Sequence, residues 1–585
     1  DVSFLVPRPA GRGGFVTVKD GRLAYGQEGR ARFLGVSLIP PAAFVEPERA
    51  DALADRLARS GLNLVRLGEL DLPLGPDRSL IDDTREDTQA FDPEALARLD
   101  HLVAALKARG ISVALELQAG RRFRSGDGVA VPGLLPPGGG PAAEFDPTIG
   151  KLALATARAV LEHINPETGL ALRDDPALAW VTLAGELSLF NLIEQPDALP
   201  PAYARAWHDL AEKAPGGVAG RRLWELVEAD HSRRMADALR QEKLRVPIAG
   251  VSHWRREPEF AHAQAGPGLD LIDDRLFWAA PTWVSPEVRS MLWSLDGGLA
   301  GLANLKRRTD RPYVVGQWCN QTRGAWSAST EAADHLLGVY TAVVEDWDAL
   351  VRRGIFLYPM TWGEGPAGTV GGEDVFQLAE VVNGSPHIYA FWPHAASLFY
   401  RGVTTARPQR GARPVEVPGR TVGRAARRAI TGWDPRRGRL VVDTPYTQAL
   451  AGWAGGKPER FDHLDLAIEN PMAVLAVSSI GPEPIATAKR LLVTAVARVE
   501  PTGFRWVDAW RHAVADPGRP PFLSEPVRAR VVWRHQGPVR GFVLNNAGER
   551  VGPARLEALP GGQGVALDLD GSRPGFHWEL VVGEK

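Results

Sequence analysis

The chain has 585 residues, with 68 Lys and Arg against 70 Asp and Glu, 44% hydrophobic residues and 24% charged ones. At roughly 100–200 residues per domain this length implies two to four domains, or one large barrel plus a smaller module. A net charge of −2 lacks the basic excess that nucleic acid or an anionic membrane surface attracts, no run approaches the roughly eighteen apolar residues of a membrane span, and the single Cys319 excludes an intramolecular disulfide and any Cys-based zinc or iron–sulfur site.

The chain opens at Asp1 with no Met and no charged-then-apolar leader, so any signal peptide has been removed or lies outside the sequence; a secreted or periplasmic location is favoured slightly over a cytoplasmic one. In segment 1–30, Phe15-Val16-Thr17-Val18 and Lys19-Asp20-Gly21-Arg22 predict a hairpin docked on a barrel or a sandwich. From about residue 31 the pattern alternates between short β-rich runs and amphipathic helices. Arg32 to Ile39 reads as a buried strand, followed by a helix from Glu46 to Ser60 with Ala50, Leu53 and Leu57 on its apolar stripe. Asn63 to Leu67 is the second strand. A helix from Pro93 to Gly110 carries Leu96, Leu99, Leu102, Val103 and Leu106 on one face, with Gly110 as its stop, and Ile111 to Leu117 follows as the third strand. The loop Pro136-Pro137-Gly138-Gly139-Gly140-Pro141 cannot be regular structure. Further strands are expected at Leu178–Leu183, Val246–Val251, Leu269–Phe277, Pro312–Val315 and Gly354–Tyr358.

Eight such units over 31–401, with no Gly-rich phosphate turn after the first strand, predict an α/β fold, a (β/α)8 TIM barrel. From 402 to 585 the texture changes to short strands between Pro, Gly and Asn turns, among them Arg439–Val442, Leu491–Val499, Arg528–Trp533 and Trp578–Val582. This predicts an all-β sandwich domain.

In a (β/α)8 barrel the reacting groups project from the C-terminal ends of the strands. The polar and aromatic residues there are Arg66, Glu69 and Asp71 after strand two; Glu116, Gln118, Arg121 and Arg122 at strand three; Glu186 at strand four; and His253 and Trp254 at strand five. Strand six supplies Asp274, Arg275 and Trp278, strand seven Gln317 and Trp318, and strand eight Trp362 and Glu364. No H-E-x-x-H and no G-x-S-x-G motif is present, which leaves metallohydrolase and serine-esterase chemistry without support.

Phe33-Leu34-Gly35-Val36, Asn63 to Leu67, Asp175-Pro176-Ala177-Leu178-Ala179-Trp180 running to Gly185-Glu186, and Arg311 to Trp318 resemble the barrel landmarks of the clan-A glycoside hydrolases. The likeness is greatest to family 5 (cellulase-like) bacterial proteins with a C-terminal β-sandwich, whose sandwich resembles Leu491 to Arg498. The resemblance implies hydrolysis of a β-linked oligo- or polysaccharide with retention, by an acid/base Glu after strand four and a nucleophilic Glu after strand seven. By it Glu186 is the acid/base, Arg66 the arginine that hydrogen-bonds the strand-seven group, and Trp362 the floor of the sugar site. It implies a carbohydrate ligand and no cofactor or metal, and leaves the oligomeric state open.

The departures are specific. Gln317 occupies the nucleophile position and its amide cannot form the glycosyl ester; Gly185 replaces the Asn that precedes the acid/base; Gly68-Glu69 replaces the histidines after strand two; and Asp274 to Phe277 replaces the His/Tyr of strand six. Gln317 is thus either engineered or naturally lost, and four coordinated changes argue for natural divergence. Two functions follow: a glycoside hydrolase using Glu186 with a substitute carboxylate such as Glu69 or Glu116, or a catalytically inactive descendant that binds glycan or serves as a scaffold subunit. Glu186 is alternatively a structural partner of Arg66 or Arg122, Gln317 a hydrogen-bonding remnant, His253 a core histidine and Cys319 an inert buried thiol. Trp254, Trp278, Trp318 and Trp362 are read as sugar-stacking indoles in preference to packing ones.

Overall fold

The computed structural model describes residues 1–585 apart from 27–28, 41, 73–78, 279–289, 320–327, 354–368, 371–385, 403–431, 508–513, 517–518, 573–574 and 584–585. Eight strands, Phe33–Leu38, Leu64–Leu67, Ser112–Glu116, Leu178–Gly185, Ile248–Ser252, Ile272–Phe277, Tyr313–Cys319 and Ala349–Arg353, form one sheet and are numbered here as barrel strands one to eight. Their order in space is five, four, three, two, one, eight, seven, six, and every neighbouring pair is parallel. Parallel bridges from Ala249 to Leu271 and from His253 to Asp274 join strand five to strand six and close the barrel. Both faces of each strand are covered, one by the barrel interior and one by helices, so the strands read as continuous buried runs rather than alternating ones.

The helices follow the sequence pattern. Pro47–Arg59 buries Ala50, Leu53 and Leu57, and Pro93–Ala108 buries Leu99, Leu102, Val103 and Leu106 while Leu96 is only partly covered. Burying each such leucine contributes about 1.5–3 kcal/mol. Asp92 starts the second of these helices by accepting the Ala95 amide, with Pro93 supplying a preset φ at the first helical position. Gly110 ends the turn beyond it at φ +86, where a Cβ would lie 2.4 Å from the Pro7 carbonyl oxygen; glycine is required both for the conformation and for the approach.

Strand eight differs from expectation. It lies at Ala349–Arg353, and the expected Gly354–Tyr358 falls outside the described residues. The described strand carries the apolar run Ala349-Leu350-Val351 before two arginines, and Arg352 is nonetheless buried, its guanidinium 4.9 Å from the centre of the Trp318 ring. A buried cation stacked on an indole disguises a core strand as a surface segment.

The N-terminal hairpin pairs Val16–Lys19 with Arg22–Tyr25 through Asp20 and Gly21, both at positive φ as a type I′ turn demands. It docks on the barrel: Val16 and Leu23 pack with Phe33, Leu64, Ala179 and Trp180 and seal the N-terminal end of the barrel.

The C-terminal region is a β-sandwich. One antiparallel sheet of eight strands runs in space Trp433–Asp434, Arg439–Asp443, Thr447–Gly452, Ala473–Ser479, Arg490–Val496, His577–Val582, Val539–Leu544, Arg550–Ala554. A five-stranded sheet built on Leu464–Ile468, Arg528–Trp533 and Val565–Asp570 covers one of its faces, with Leu450, Leu475, Val493, Leu466, Val531 and Trp533 between them. The opposite face, through Leu440, Val442, Ala449 and Val474, joins the core of barrel helices Ala328–Val344 and Trp392–Arg401. His394 on the latter helix is held between the hydroxyls of Ser478 and Thr494, 2.7 Å from each. Barrel and sandwich therefore share a continuous packed interface with a buried polar pin.

Candidate active site at the barrel mouth

Strand alternation selects which residues of the mouth face the barrel axis. Arg66 on strand two, Glu116 on strand three, and Asp273 and Arg275 on strand six meet there in a chain of alternating charge. The Arg66 guanidinium donates to Glu116 Oε2 at 2.6 Å and lies 3.2 Å from Asp273 Oδ2. Arg275 donates through one nitrogen to the same Glu116 oxygen at 2.6 Å and through another to Glu186 Oε1 at 2.7 Å. Thr182 donates to Asp273 at 2.6 Å. Every member of the chain is buried except Glu186, whose side chain keeps 43% of its surface exposed. Asp273 to Arg66 to Glu116 to Arg275 to Glu186 thus runs from a sealed end to an open one.

The sequence departures explain why this chain can exist. A Cβ on Gly185 would lie 2.3 Å from the Glu116 carboxyl carbon, so Glu116 fills the space of a side chain at 185. A Cβ on Gly316 would lie 2.1 Å from Asp273 Oδ1 and 2.5 Å from an Arg66 nitrogen. Two glycines beside the mouth therefore make room for two carboxylates and an arginine. Arg66 meets Glu116 and Asp273 through Nη2, while its Nη1 lies beside Gly316 on strand seven. Gln317 is 1% exposed, and neither of its amide atoms has a hydrogen-bond partner among the described residues.

Glu186 has neither Arg66 nor Arg122 as its partner, since Arg275 holds it and Arg122 is exposed. Its backbone is left-handed at φ +56, and the Asn191 side chain donates to its carbonyl at 2.7 Å. Asn191 in turn meets His253 at 2.8 Å. His253 is a buried core histidine, held well below its usual value by burial and by the cations Lys306, Arg275, Arg255 and Arg256, so as a neutral ring it fixes the loop that carries Glu186. Glu69 has the same unusual backbone, φ +55. Burial pushes its carboxyl up to about 7, against the pull of Arg275 and with the added repulsion of Glu116. Non-glycine residues in this conformation store strain and collect at functional sites.

Other expected site residues turn away. Asp274 faces outward from strand six, where Lys306 at 2.8 Å, Arg256 at 2.8 Å and the Tyr313 hydroxyl at 2.6 Å surround it and hold its carboxyl below the usual range despite complete burial. Arg121 is buried against Thr88, Thr156 and the Leu152 carbonyl, and Asp71 receives the amides of Ala119, Gly120 and Arg121; both shape the loop after strand three. Trp318 is not a stacking residue for sugar. It is 1% exposed, parallel to His335 with ring centres 5.7 Å apart, and in contact with helix Ala328–Val344 at Gly338. Trp254 is partly buried against His253 and Arg255, and Trp278 is partly buried against the barrel core, its amide bonded to the Cys319 carbonyl. Cys319 is buried. Trp362 and Glu364 lie outside the described residues. Asp273 was absent from the sequence-based candidates, yet it stands two residues before Arg275 and so shares its inward face.

Among the described residues, the one His/Asp/Glu group spaced to hold a metal ion is His208, Asp209 and Glu212, exposed on helix Pro201–Glu212 and away from the mouth residues. No helix of the described residues is long and apolar enough to cross a membrane.

The molecule is a closed (β/α)8 barrel followed by a β-sandwich, with ionisable side chains gathered at the C-terminal ends of the barrel strands. No protein-family model and no curated protein sequence matches the chain. Among solved structures it is similar to the endo-β-1,4-mannanase of Thermotoga petrophila, at 12% identity and TM-score 0.44 over 80% of this chain and 95% of that one. It is also similar to the endo-1,4-β-mannanase of Rhizomucor miehei, at 13% identity and TM-score 0.41 over 58% and 90%, and to a glycoside hydrolase matched over 99% of both chains at 11% identity and TM-score 0.38.

Proposed function

We propose that the barrel mouth is the active site of a glycoside hydrolase acting on a β-linked oligo- or polysaccharide, with Glu69 and Glu186 as its carboxyl pair. The observation that carries this reading is the contrast between the two: Glu69 is pushed up to about 7, while Glu186 is ion-paired with Arg275 and open to solvent. Two carboxyls in environments of opposite character supply an acid and a base. Glu69 in its neutral form gives its proton to the leaving glycosidic oxygen. Water attacks the anomeric carbon from the opposite face as that bond breaks, and Glu186 takes the proton of the water through the oxygen not engaged by Arg275. With an amide at 317, no glycosyl ester forms on strand seven, so the expected stereochemical course is inversion.

A second reading, a non-catalytic glycan-binding descendant, is favoured by the burial of Gln317 and by the occupation of the space beside Gly185 by Glu116. Hydrolysis of a panel of β-glucan and mannan oligosaccharides, with the anomer of the first product followed by NMR, separates the two. The enzyme reading expects an inverted product and a loss of at least about a hundredfold in kcat for Glu69→Gln and for Glu186→Gln. Glycan binding with no hydrolysis by the parent chain establishes the second reading instead.

A further inference from the structure

Outside the mouth, a cavity of about 170 Å³ lies between the barrel helix Pro47–Arg59 and the sandwich. Four arginines line it, Arg56 and Arg59 from the helix and Arg490 and Arg550 from the sandwich, against two carboxylates, Asp1 and Glu579. The buried Glu579 already receives a sandwich arginine on each oxygen, the Nε of Arg490 at 2.8 Å on Oε1 and the Nε of Arg550 at 2.7 Å on Oε2. The helix arginines cross to the sandwich, where they donate to backbone carbonyls, Arg56 to Asn546 at 2.6 Å and Arg59 to Ala547 at 2.8 Å. The Asp1 carboxylate stands 3.9 Å from Arg59. His577, also at the wall, is buried and held down to about 3, so it adds no charge of its own. Formal charge on the lining side chains is therefore in excess by two positive units.

We infer that this cavity binds a small oxyanion: a phosphate, sulfate or carboxylate group, free or carried on a small polar body. Guanidinium forks match the oxygen spacing of such groups and bind them through charge-assisted hydrogen bonds. The lining arginines stand on a helix and on paired strands, so the site is formed before the ligand arrives. The occupant bridges barrel and sandwich and stabilises their junction by mass action.

The test is calorimetric titration and thermal unfolding of the full chain with inorganic phosphate, glucose 6-phosphate and glucuronate, at ionic strength fixed with sodium chloride and with glucose as the neutral control. The expected result is saturable binding and a raised unfolding midpoint with at least one anionic probe and none with glucose. Binding is expected to weaken about tenfold or more in Arg59→Gln, whose half-exposed side chain makes it a tolerated change, and likewise in Arg490→Gln. Preference among the three probes identifies whether the anionic group is recognised alone or with its sugar. Equal effects from chloride and all probes, or undiminished binding in both variants, overturns the assignment.

Discussion

Glu116→Gln tests the ion chain most directly. The Glu116 carboxylate oxygen Oε2 accepts from both Arg66 and Arg275 at 2.6 Å, with all three side chains shielded from solvent. An amide of the same shape keeps an acceptor but removes the charge, leaving Arg275 with Glu186 and Arg66 with Asp273. Breaking a buried pair from one side costs about 3–5 kcal/mol, because the remaining charge stays desolvated. Against a total stability of about 5–15 kcal/mol this is a large share, and it should lower the urea midpoint, followed by tryptophan fluorescence, by on the order of 1 M. Pairing the change with Arg275→Gln removes both charges of one link, so the double variant should lose less than the sum of the single ones, by about 1–3 kcal/mol. A Glu116→Gln midpoint within about 0.5 kcal/mol of the parent, or strict additivity in the double variant, would refute the idea that these charges hold the mouth together.

Glu69 should set an acidic dependence of both stability and activity. Its folded carboxyl holds a proton up to about 7, against a usual value of 4.5, so the folded state binds more protons between those values; stability should fall as pH rises from about 4.5 to about 7, and Glu69→Gln should flatten that slope in denaturant titrations. Hydrolysis should decline above about pH 7 as the same proton is lost. Trp318→Ala should destabilise by about 3–5 kcal/mol while leaving glycan affinity unchanged by calorimetry, since the ring lies between strand seven and helix Ala328–Val344. His394→Ala should cost about 2–5 kcal/mol in urea unfolding, because the hydroxyls of Ser478 and Thr494 each lose a buried partner.

Most of the barrel was legible in the sequence because parallel strands covered on both faces need apolar runs, and strands one to seven supply them. Strand eight was not. Ile355-Phe356-Leu357-Tyr358 is the more apolar run and lies outside the described residues; the described closing strand is the segment before it, which includes an arginine stacked on the Trp318 face. The site was legible as a set of residue types and not as a set of directions. Asp274 was counted into the mouth although it stands between the inward Asp273 and Arg275 and so points out, and Trp318 was counted in although a register shift between Val315 and Trp318 breaks the alternation there. Asp273 was passed over although it shares the face of Arg275. The filling of the space at Gly185 by Glu116 is a contact between strands three and four, separated by about seventy positions, and no local pattern announces it. What the sequence did carry was the fact of substitution: Gly185, read as a loss, proves to be the room for the Glu116 carboxylate.

That coupling bears on the restoration of a carboxylate at 317. If Gln317 were the single missing piece of a retaining site, Gln317→Glu would give back activity with retention. The charge balance argues otherwise, because the cations here are already shared: Arg66 Nη2 meets both Glu116 and Asp273, and Arg275 meets both Glu116 and Glu186. The chain already has three carboxylates for two guanidiniums, and position 317 is 1% exposed. A fourth carboxyl adds negative charge to a group that already has more acids than arginines, so burial and like charge together raise its pKa, and it stays protonated and non-nucleophilic. Gln317→Glu should therefore show no gain in hydrolysis of aryl β-glycosides. It should also acquire a stability that falls more steeply than the parent's as pH rises above about 4.5, since the folded state holds one more proton than the unfolded chain. A sharp rise in activity with a retained anomeric product would show that Arg66 can leave Glu116 for the new carboxylate, and that the ion chain is an alternative arrangement of a retaining site and not its replacement.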